Sequence, residues 1–396
     1  KMDRDADDDL VARVLAASIV GKLDVLESLV TVGPGGMMYV PHAFAAQREA
    51  GSVRMVVTDR TSVLFDQISL LLGLTEAYSL LGTSAATDLV AIQPIDAAAL
   101  AARAEALVEV VLGTLEVAHL RPLERALADL ATPAGTVWTP GDEVSASYLG
   151  LAAEAFEQVI GAFGSGHRLA SRARALLENE VSFLREALWD GSGGTRDLWI
   201  AGDASPTCSA PTLTGQLGAL RAFLAADRVL GSAAGEIRSA LLAFDSRFWD
   251  PEAEVYVSLL DHLAWCMTPL DFAMVVNVVP QATRFLDAAE AQVVVSHLVR
   301  HIDRALDEVD LQIPARTLDE AGRERLYAPV FDRRVCLEPV SPFGGLSWTR
   351  AGDFVRYTVE VENPTDETFL GLALDDLLPE GVSLAGRTPR LVTREM

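Results

Sequence analysis

The strongest constraint on this chain is a run of paired amphipathic segments, each helix-sized and too apolar on one side to stand alone in water. Apolar residues recur at three- and four-residue spacing over residues 9–30, 61–81, about 96–120, 143–161, 167–188, 212–230, 232–247, about 270–286 and 288–309. In the stretch 167–188 the stripe is Leu169, Ala173, Leu177, Leu184 and Leu188. Asp96 is placed as an N-cap, with Leu100, Ala104, Leu107 and Val111 on one face of the helix that follows. A single hairpin of such helices cannot hide its apolar face, whereas stacked neighbours can. Between these segments, residues 31–58 are irregular, with a turn at Gly33-Pro34-Gly35-Gly36 and short strands expected at Met37–Val40 and Val53–Val57. Residues 190–210 form a polar loop, and Pro280 is expected to kink or split its helix.

The hairpins resemble one another. Ala77-Tyr78 precedes Leu81-Gly82, Ala155-Phe156 precedes Ile160-Gly161, and Ala226-Asp227 precedes Leu230-Gly231. Each glycine is expected to end its helix as the C′ residue. The second helices close on Leu188-Trp189-Asp190 and Phe248-Trp249-Asp250. Stacked hairpins give an open solenoid or a closed ring. The irregular, loop-rich spacing over residues 60–310 resembles the α/α toroid families, which include glucoamylase-like hydrolases, sugar epimerases and cyclases. The expected fold is therefore mainly α: residues 1–58 as an N-terminal helix and irregular segment joining the ring, 59–330 as an α/α toroid, and 339–396 as a small β module.

That last assignment rests on a change of period. Val355, Tyr357, Val359 and Val361 alternate as in a strand spanning Phe354–Val361. The sequence Gly352-Asp353-x-Val355-x-Tyr357-Thr358-x-x-Val361-x-Asn363, followed by Asp376-x-Leu378-Pro379-x-Gly381, resembles the DUF11 repeat family. The resemblance implies a partial β-sandwich module of the kind found in secreted and cell-wall proteins. The later strands are expected from elsewhere, and a segment is expected to have preceded Lys1.

The net charge is −24, from 56 acidic and 32 basic residues. Such a surface repels phosphate backbones and anionic lipid heads, which argues against nucleic-acid and membrane partners. No apolar run reaches the roughly 18 residues of a membrane helix; Val63–Leu74 is broken by Asp66 and Gln67. The three cysteines, Cys208, Cys266 and Cys336, form no C-x-x-C pair and leave the compartment open. No metal or cofactor is called for. The acidic run Asp3–Asp9 lacks the glycine and glutamate of a calcium loop and suits a helix start instead. The Gly33–Gly36 turn lacks the lysine of a phosphate loop, and no G-x-S-x-G elbow occurs. His297 and His301 share a helix face without a third ligand and are expected to be a solvated or boundary pair.

The toroid resemblance implies a carbohydrate site where the loops before the inner helices gather. Those loops carry Asp59, Asp142, Glu143, Asp203, Asp261, His262 and Asp271, with Trp138, Trp199 and Trp265 among them. Paired carboxylates beside aromatic platforms suit glycosidic bond cleavage, one protonating the leaving oxygen and the other serving the anomeric carbon. Glu143, Asp203 and Asp261 are the candidate catalytic acids. Trp138, Trp199, Trp265 and His262 are the candidate substrate contacts. The same residues also suit plainer roles: Asp142 and Glu143 as an N-cap and first turn, the tryptophans as seals on hairpin ends. On balance the sequence favours an extracellular or cell-envelope structural protein, assembling with other subunits, glycans or copies of itself. A carbohydrate-active hydrolase or lyase is the alternative, and a non-catalytic glycan-binding protein the third reading.

Overall fold

The computed structural model describes residues 6–49, 52–82, 95–202, 211–251, 253–257, 269–307, 335–339 and 355–359. Nine α-helices lie among them: α1 (Ala6–Leu29), α2 (Leu64–Leu81), α3 (Ala97–Thr114), α4 (Ala146–Phe163), α5 (Arg168–Phe183), α6 (Leu213–Leu230), α7 (Ala234–Phe248), α8 (Pro269–Ala282) and α9 (Ala288–Asp307). Every helical segment expected from periodicity is present. Asp96 caps α3 as anticipated, its Oδ1 accepting the Ala99 N–H at 3.0 Å. His167 and Thr212 do the same for α5 and α6.

The helices alternate between two layers. α2, α4, α6 and α8 pack side by side as an inner row, and α3, α5, α7 and α9 back them from outside, with α1 against α3. This is the α/α toroid arrangement. The inner helices carry apolar residues on several faces: in α6, Leu213, Leu217, Leu220, Phe223 and Leu224 are all buried. The outer helices keep one apolar stripe and a charged exterior. Arginine–carboxylate pairs join each outer helix to the next: Arg103 to Asp24 and Glu27, Arg168 to Glu109, Arg172 to Glu116, Arg185 to Glu236, and Arg238 to Glu290. They range from exposed to part-buried, and the exposed ones are worth at most about 1 kcal/mol each. They tie neighbouring outer helices to one another.

The tightest helix crossing is α4 on α6. A Cβ at Gly150 would lie 2.6 Å from the Gly218 Cα, and one at Gly218 would lie 2.6 Å from the Ser147 Cα. Glycine at both positions lets two backbones touch where any side chain would wedge them apart.

Some helix ends match expectation and others depart from it. Gly231 adopts the left-handed conformation, φ 67°, and closes α6 as expected. Gly82 follows α2 with φ −88°, so it needs no glycine-specific geometry. Gly161 does not end α4; the helix runs to Phe163 and Gly164, φ 78°, closes it. Phe163 stacks on Tyr78 at 4.1 Å and on His167 at 4.9 Å, and this packing holds the extra turn in place. Pro280 does not split its helix: α8 continues to Ala282 and then tightens into a 3₁₀ turn at Thr283–Phe285.

Short antiparallel strands join the helices. β1 (Thr31–Val32) pairs with β2 (Met38–Tyr39), and β3 (Ala43–Glu49) with β4 (Ser52–Asp59). β5 (Ser62–Val63), β8 (Leu130–Ala134) and β9 (Val137–Pro140) form a three-stranded sheet. β6 (Leu120–Arg121) pairs with β7 (Ala126–Leu127), β10 (Glu143–Ser145) with β11 (Leu198–Ile200), and β12 (Trp249–Asp250) with β13 (Val255–Tyr256). Among the described residues β14 (Val335–Pro339) and β15 (Val355–Val359) also pair antiparallel. β15 falls within the strand expected at Phe354–Val361; the rest of the DUF11-like motif lies outside the described residues. No described helix is long and apolar enough to cross a membrane.

Candidate active site at the mouth of the toroid

β5, β8, β9, β10 and β11 all sit where inner helices begin, so one end of the ring is built from strands and the first turns of α2 and α4. Three backbone contacts lock it. The Asp129 carbonyl accepts the Leu64 N–H at 2.8 Å, the Asp129 N–H donates to the Glu143 carbonyl at 2.9 Å, and the Ala146 N–H donates to the Asp197 carbonyl at 2.9 Å. Asp129 thus ties the start of α2 to that of α4. Asp197 ties α4 to α6, because its Oδ1 accepts the Thr212 hydroxyl at 2.7 Å.

These two aspartates carry the site's electrostatics. The Asp129 Oδ1 accepts the Ser145 N–H at 3.0 Å. Burial pushes the Asp129 carboxyl up to about 6, against the Ser145 bond, and the neighbouring charges of Glu143 and Asp197 raise it further. Burial also raises Asp197, opposed by Thr212. Glu143 stands exposed at the outer end of β10. At the adjoining rim, His42 donates from Nδ1 to Asp66 at 2.6 Å, and that bond holds its imidazolium above the ordinary range. Exposed Phe65 and half-buried Tyr148 face each other at 5.8 Å, adding an aromatic wall beside the acids. The arrangement therefore offers a carboxyl that is part-protonated near neutral pH, the exposed Glu143 side chain next to it, and aromatic surface alongside.

Two buried groups support this floor. His119 donates from Nδ1 to the Ala128 carbonyl at 2.7 Å, so its Nε2 is the acceptor for the Ser62 hydroxyl at 2.8 Å. Burial lowers its pKa to about 4 and keeps it neutral. Glu180, on the outer helix α5, accepts the Leu127 N–H at 2.7 Å.

The expected site residues are placed as follows. Asp142 and Glu143 do not begin a helix. Glu143 is drawn into β10 opposite Ile200, Ser145 occupies the N-cap of α4, and Asp142 lies 3.4 Å from Arg121. The reason is non-local: β11 arrives from more than fifty residues away to claim the segment as a strand. Trp138 packs edge-on against Tyr39 at 4.8 Å and lies over Gly33. Trp199 sits between the edge of Phe183 at 5.4 Å and the Arg121 guanidinium at 5.6 Å. Both rings are thus engaged by protein. Asp59 is held by the Thr61 N–H and hydroxyl, and Asp271 is buried in the first turn of α8. Asp203, Asp261, His262 and Trp265 lie outside the described residues. Asp129 and Asp197 were not singled out by the sequence; the one available signal was an acid inside the short apolar run Ala126–Ala131.

Of the histidine pair, His297 is half-buried at the boundary expected of it, while His301 departs from that expectation. His301 is only 1% exposed, and its Nδ1 accepts the Tyr256 N–H at 3.1 Å. His297 donates to Asp245 at 2.9 Å and stacks on Trp249 at 4.1 Å, while the Tyr256 hydroxyl donates to the same aspartate at 2.7 Å. The pair seals β12 and β13 onto α9, a tertiary role no helix periodicity could reveal. Among the described residues no three His, Cys, Asp or Glu side chains are grouped to hold a metal.

No protein-family profile matches the sequence, and no curated protein sequence matches it significantly. Solved structures do resemble it. A cellobiose 2-epimerase from Bacillus thermoamylovorans superposes with a TM-score of 0.50 at 10% identity, over 74% of this chain and 72% of that one. A sugar epimerase from a ruminal bacterium gives 0.50 at 11%, over 74% and 72%. A family 76 glycoside hydrolase, a mannosidase from Bacteroides thetaiotaomicron, gives 0.50 at 8%, over 79% and 75%. At such identities the likeness is one of fold, and with the alternating inner and outer helices it establishes that the body of this chain is an α/α toroid.

Proposed function

We propose that this chain is a carbohydrate-active enzyme whose site lies at the strand-built mouth of the toroid. The observation that carries the reading is Asp129, a carboxyl held near pKa 6 beside the exposed Glu143 and the Phe65–Tyr148 wall. Glycosidic cleavage needs one carboxyl still protonated near neutral pH and a second, ionised one. In this reading Asp129 donates its proton to the departing glycosidic oxygen. Glu143 acts at the anomeric carbon, either directly or through a water it deprotonates. Phe65 and Tyr148 stack on the apolar face of a sugar ring. Asp197 holds α4 and α6 in register rather than reacting. The solved neighbours, two epimerases acting on sugars and a mannosidase, support this reading over a purely structural role.

Asp203, Asp261, His262 and Trp265 stay candidates for the same mouth, because they precede α6 and α8. The DUF11-like motif supports an extracellular or cell-envelope setting, in which the β module links the toroid to other subunits or to glycans.

The test is turnover of oligosaccharides and polysaccharides, α-mannan and β-glucans first. Asp129→Asn is expected to lower kcat by about 100-fold or more, the usual worth of a positioned acid, and Glu143→Gln similarly. Turnover unchanged in Asp129→Asn would refute the assignment. Tight glycan binding with no turnover would favour the glycan-binding reading instead.

A further inference from the structure

Glu180 differs from the other outer-helix carboxylates described above. Glu109, Glu116, Glu236 and Glu290 each meet an arginine. Glu180 is 1% exposed and meets none among the described residues. Its Oε1 accepts one N–H, that of Leu127, and its Oε2 is buried with no hydrogen-bond partner there. A carboxylate so placed would be a buried charge compensated by a single amide, a larger cost than that of a neutral carboxyl with one unpaired O–H. The charged group facing it from the segment between β7 and β8 is Asp129, which disfavours a second negative charge; His119, bonded to the neighbouring Ala128 carbonyl, is neutral and offers no compensation. From α5 itself the flanking acid Glu178 pairs with Arg174 on the exposed face.

We propose that Glu180 is an un-ionised carboxylic acid at neutral pH and serves as a positioning residue for Asp129. One oxygen fixes the Leu127 amide two residues before Asp129. The proton on the other keeps a second negative charge from forming behind the mouth. Burial pushes the Glu180 pKa up to about 8, in accord with this geometry. The proposal rests on Asp129 being the mouth's acid, but its chemistry can be read without any substrate.

The experiment is carboxyl-carbon NMR titration of the full chain labelled at Asp and Glu, in the parent, Glu180→Gln and Glu180→Leu. One glutamate resonance is expected to titrate near pH 8 and to vanish in Glu180→Gln. That variant keeps an acceptor for Leu127 and is expected to leave the Asp129 midpoint near 6. Glu180→Leu is expected to speed exchange of the Leu127 amide by about tenfold, the worth of one net hydrogen bond, and to move the Asp129 midpoint. A Glu180 signal titrating in the ordinary carboxylate range would overturn the proposal. So would a fall of the Asp129 midpoint in Glu180→Gln, since only loss of a charge lowers a neighbouring carboxyl. Unchanged Leu127 exchange in Glu180→Leu would overturn the positioning role. Normal Glu180 titration with activity lost in Asp129→Asn sinks this proposal alone; titration near 8 with no turnover of any glycan sinks the enzymatic reading alone.

Discussion

Replacing Gly218 by alanine tests the helix crossing on which the mouth depends. The new Cβ would lie 2.6 Å from the Ser147 Cα and 2.8 Å from the Ala146 carbonyl carbon, where ordinary contact starts at 3.4 Å. The obstacle is backbone, with the Ala146 carbonyl oxygen nearest of all, so α4 must retreat by at least about 0.8 Å or deform. Overpacking of this kind costs about 1–3 kcal/mol, and with no flexible side chain to yield the upper end applies. Alanine returns about 1 kcal/mol in helix propensity, leaving a net loss of about 2 kcal/mol. Gly161→Ala supplies the control. It makes the same chemical change in α4, but nothing lies within 4 Å of the added carbon, so only the propensity gain of about 0.5–1 kcal/mol remains. Urea unfolding followed by circular dichroism should place the two variants on opposite sides of the parent, about 3 kcal/mol apart. The argument fails if Gly218→Ala is as stable as the parent, or if both variants shift the same way. A second readout is the Asp129 midpoint, because Ser145 and Ala146, which bind Asp129 and Asp197, sit at this crossing.

Acid should destabilise the fold through His119. Its folded pKa, about 4, lies below the ordinary 6.5, so the unfolded chain takes up a proton first. Its contribution is complete above pH 6.5 and is lost as pH falls toward 4, by about 3 kcal/mol over that window at 1.36 kcal/mol per unit. Unfolding free energies measured from pH 7 to 4 should fall less steeply in His119→Gln, and parallel curves would contradict this; His301, also held near 4 by burial, adds a slope of the same sign in both proteins. Gln216→Leu should cost about 2–4 kcal/mol, because the buried Gln216 side chain accepts the Thr195 N–H and donates to the Gly193 carbonyl, and both would lose a partner. An unchanged melting temperature for that variant would show that those backbone groups find other partners.

The helices were legible because their signals are local. The stripe Leu169–Leu188 predicts α5, Asp96 predicts the start of α3, and Leu230-Gly231 predicts the end of α6; each needs only the residues one turn away. The terminus of α4 was misjudged by three residues because Phe163 is held by Tyr78, far off in sequence. Glu143 looked like a helix start and became a strand for the same reason, since its partner Ile200 belongs to another hairpin. Trp138 and Trp199 had the composition of sugar platforms, yet Tyr39, Phe183 and Arg121 occupy them. Asp129 had only one local mark, its place inside the apolar run Ala126–Ala131.

By itself, then, the sequence determined a set of amphipathic helices that must stack, and their order. Which acids are buried, and which are proton-bearing, was decided by tertiary structure alone. A carboxyl's pKa depends on the water removed from it and the charges brought near it, and at Asp129 and Glu180 both are set by segments that meet only when the ring is assembled.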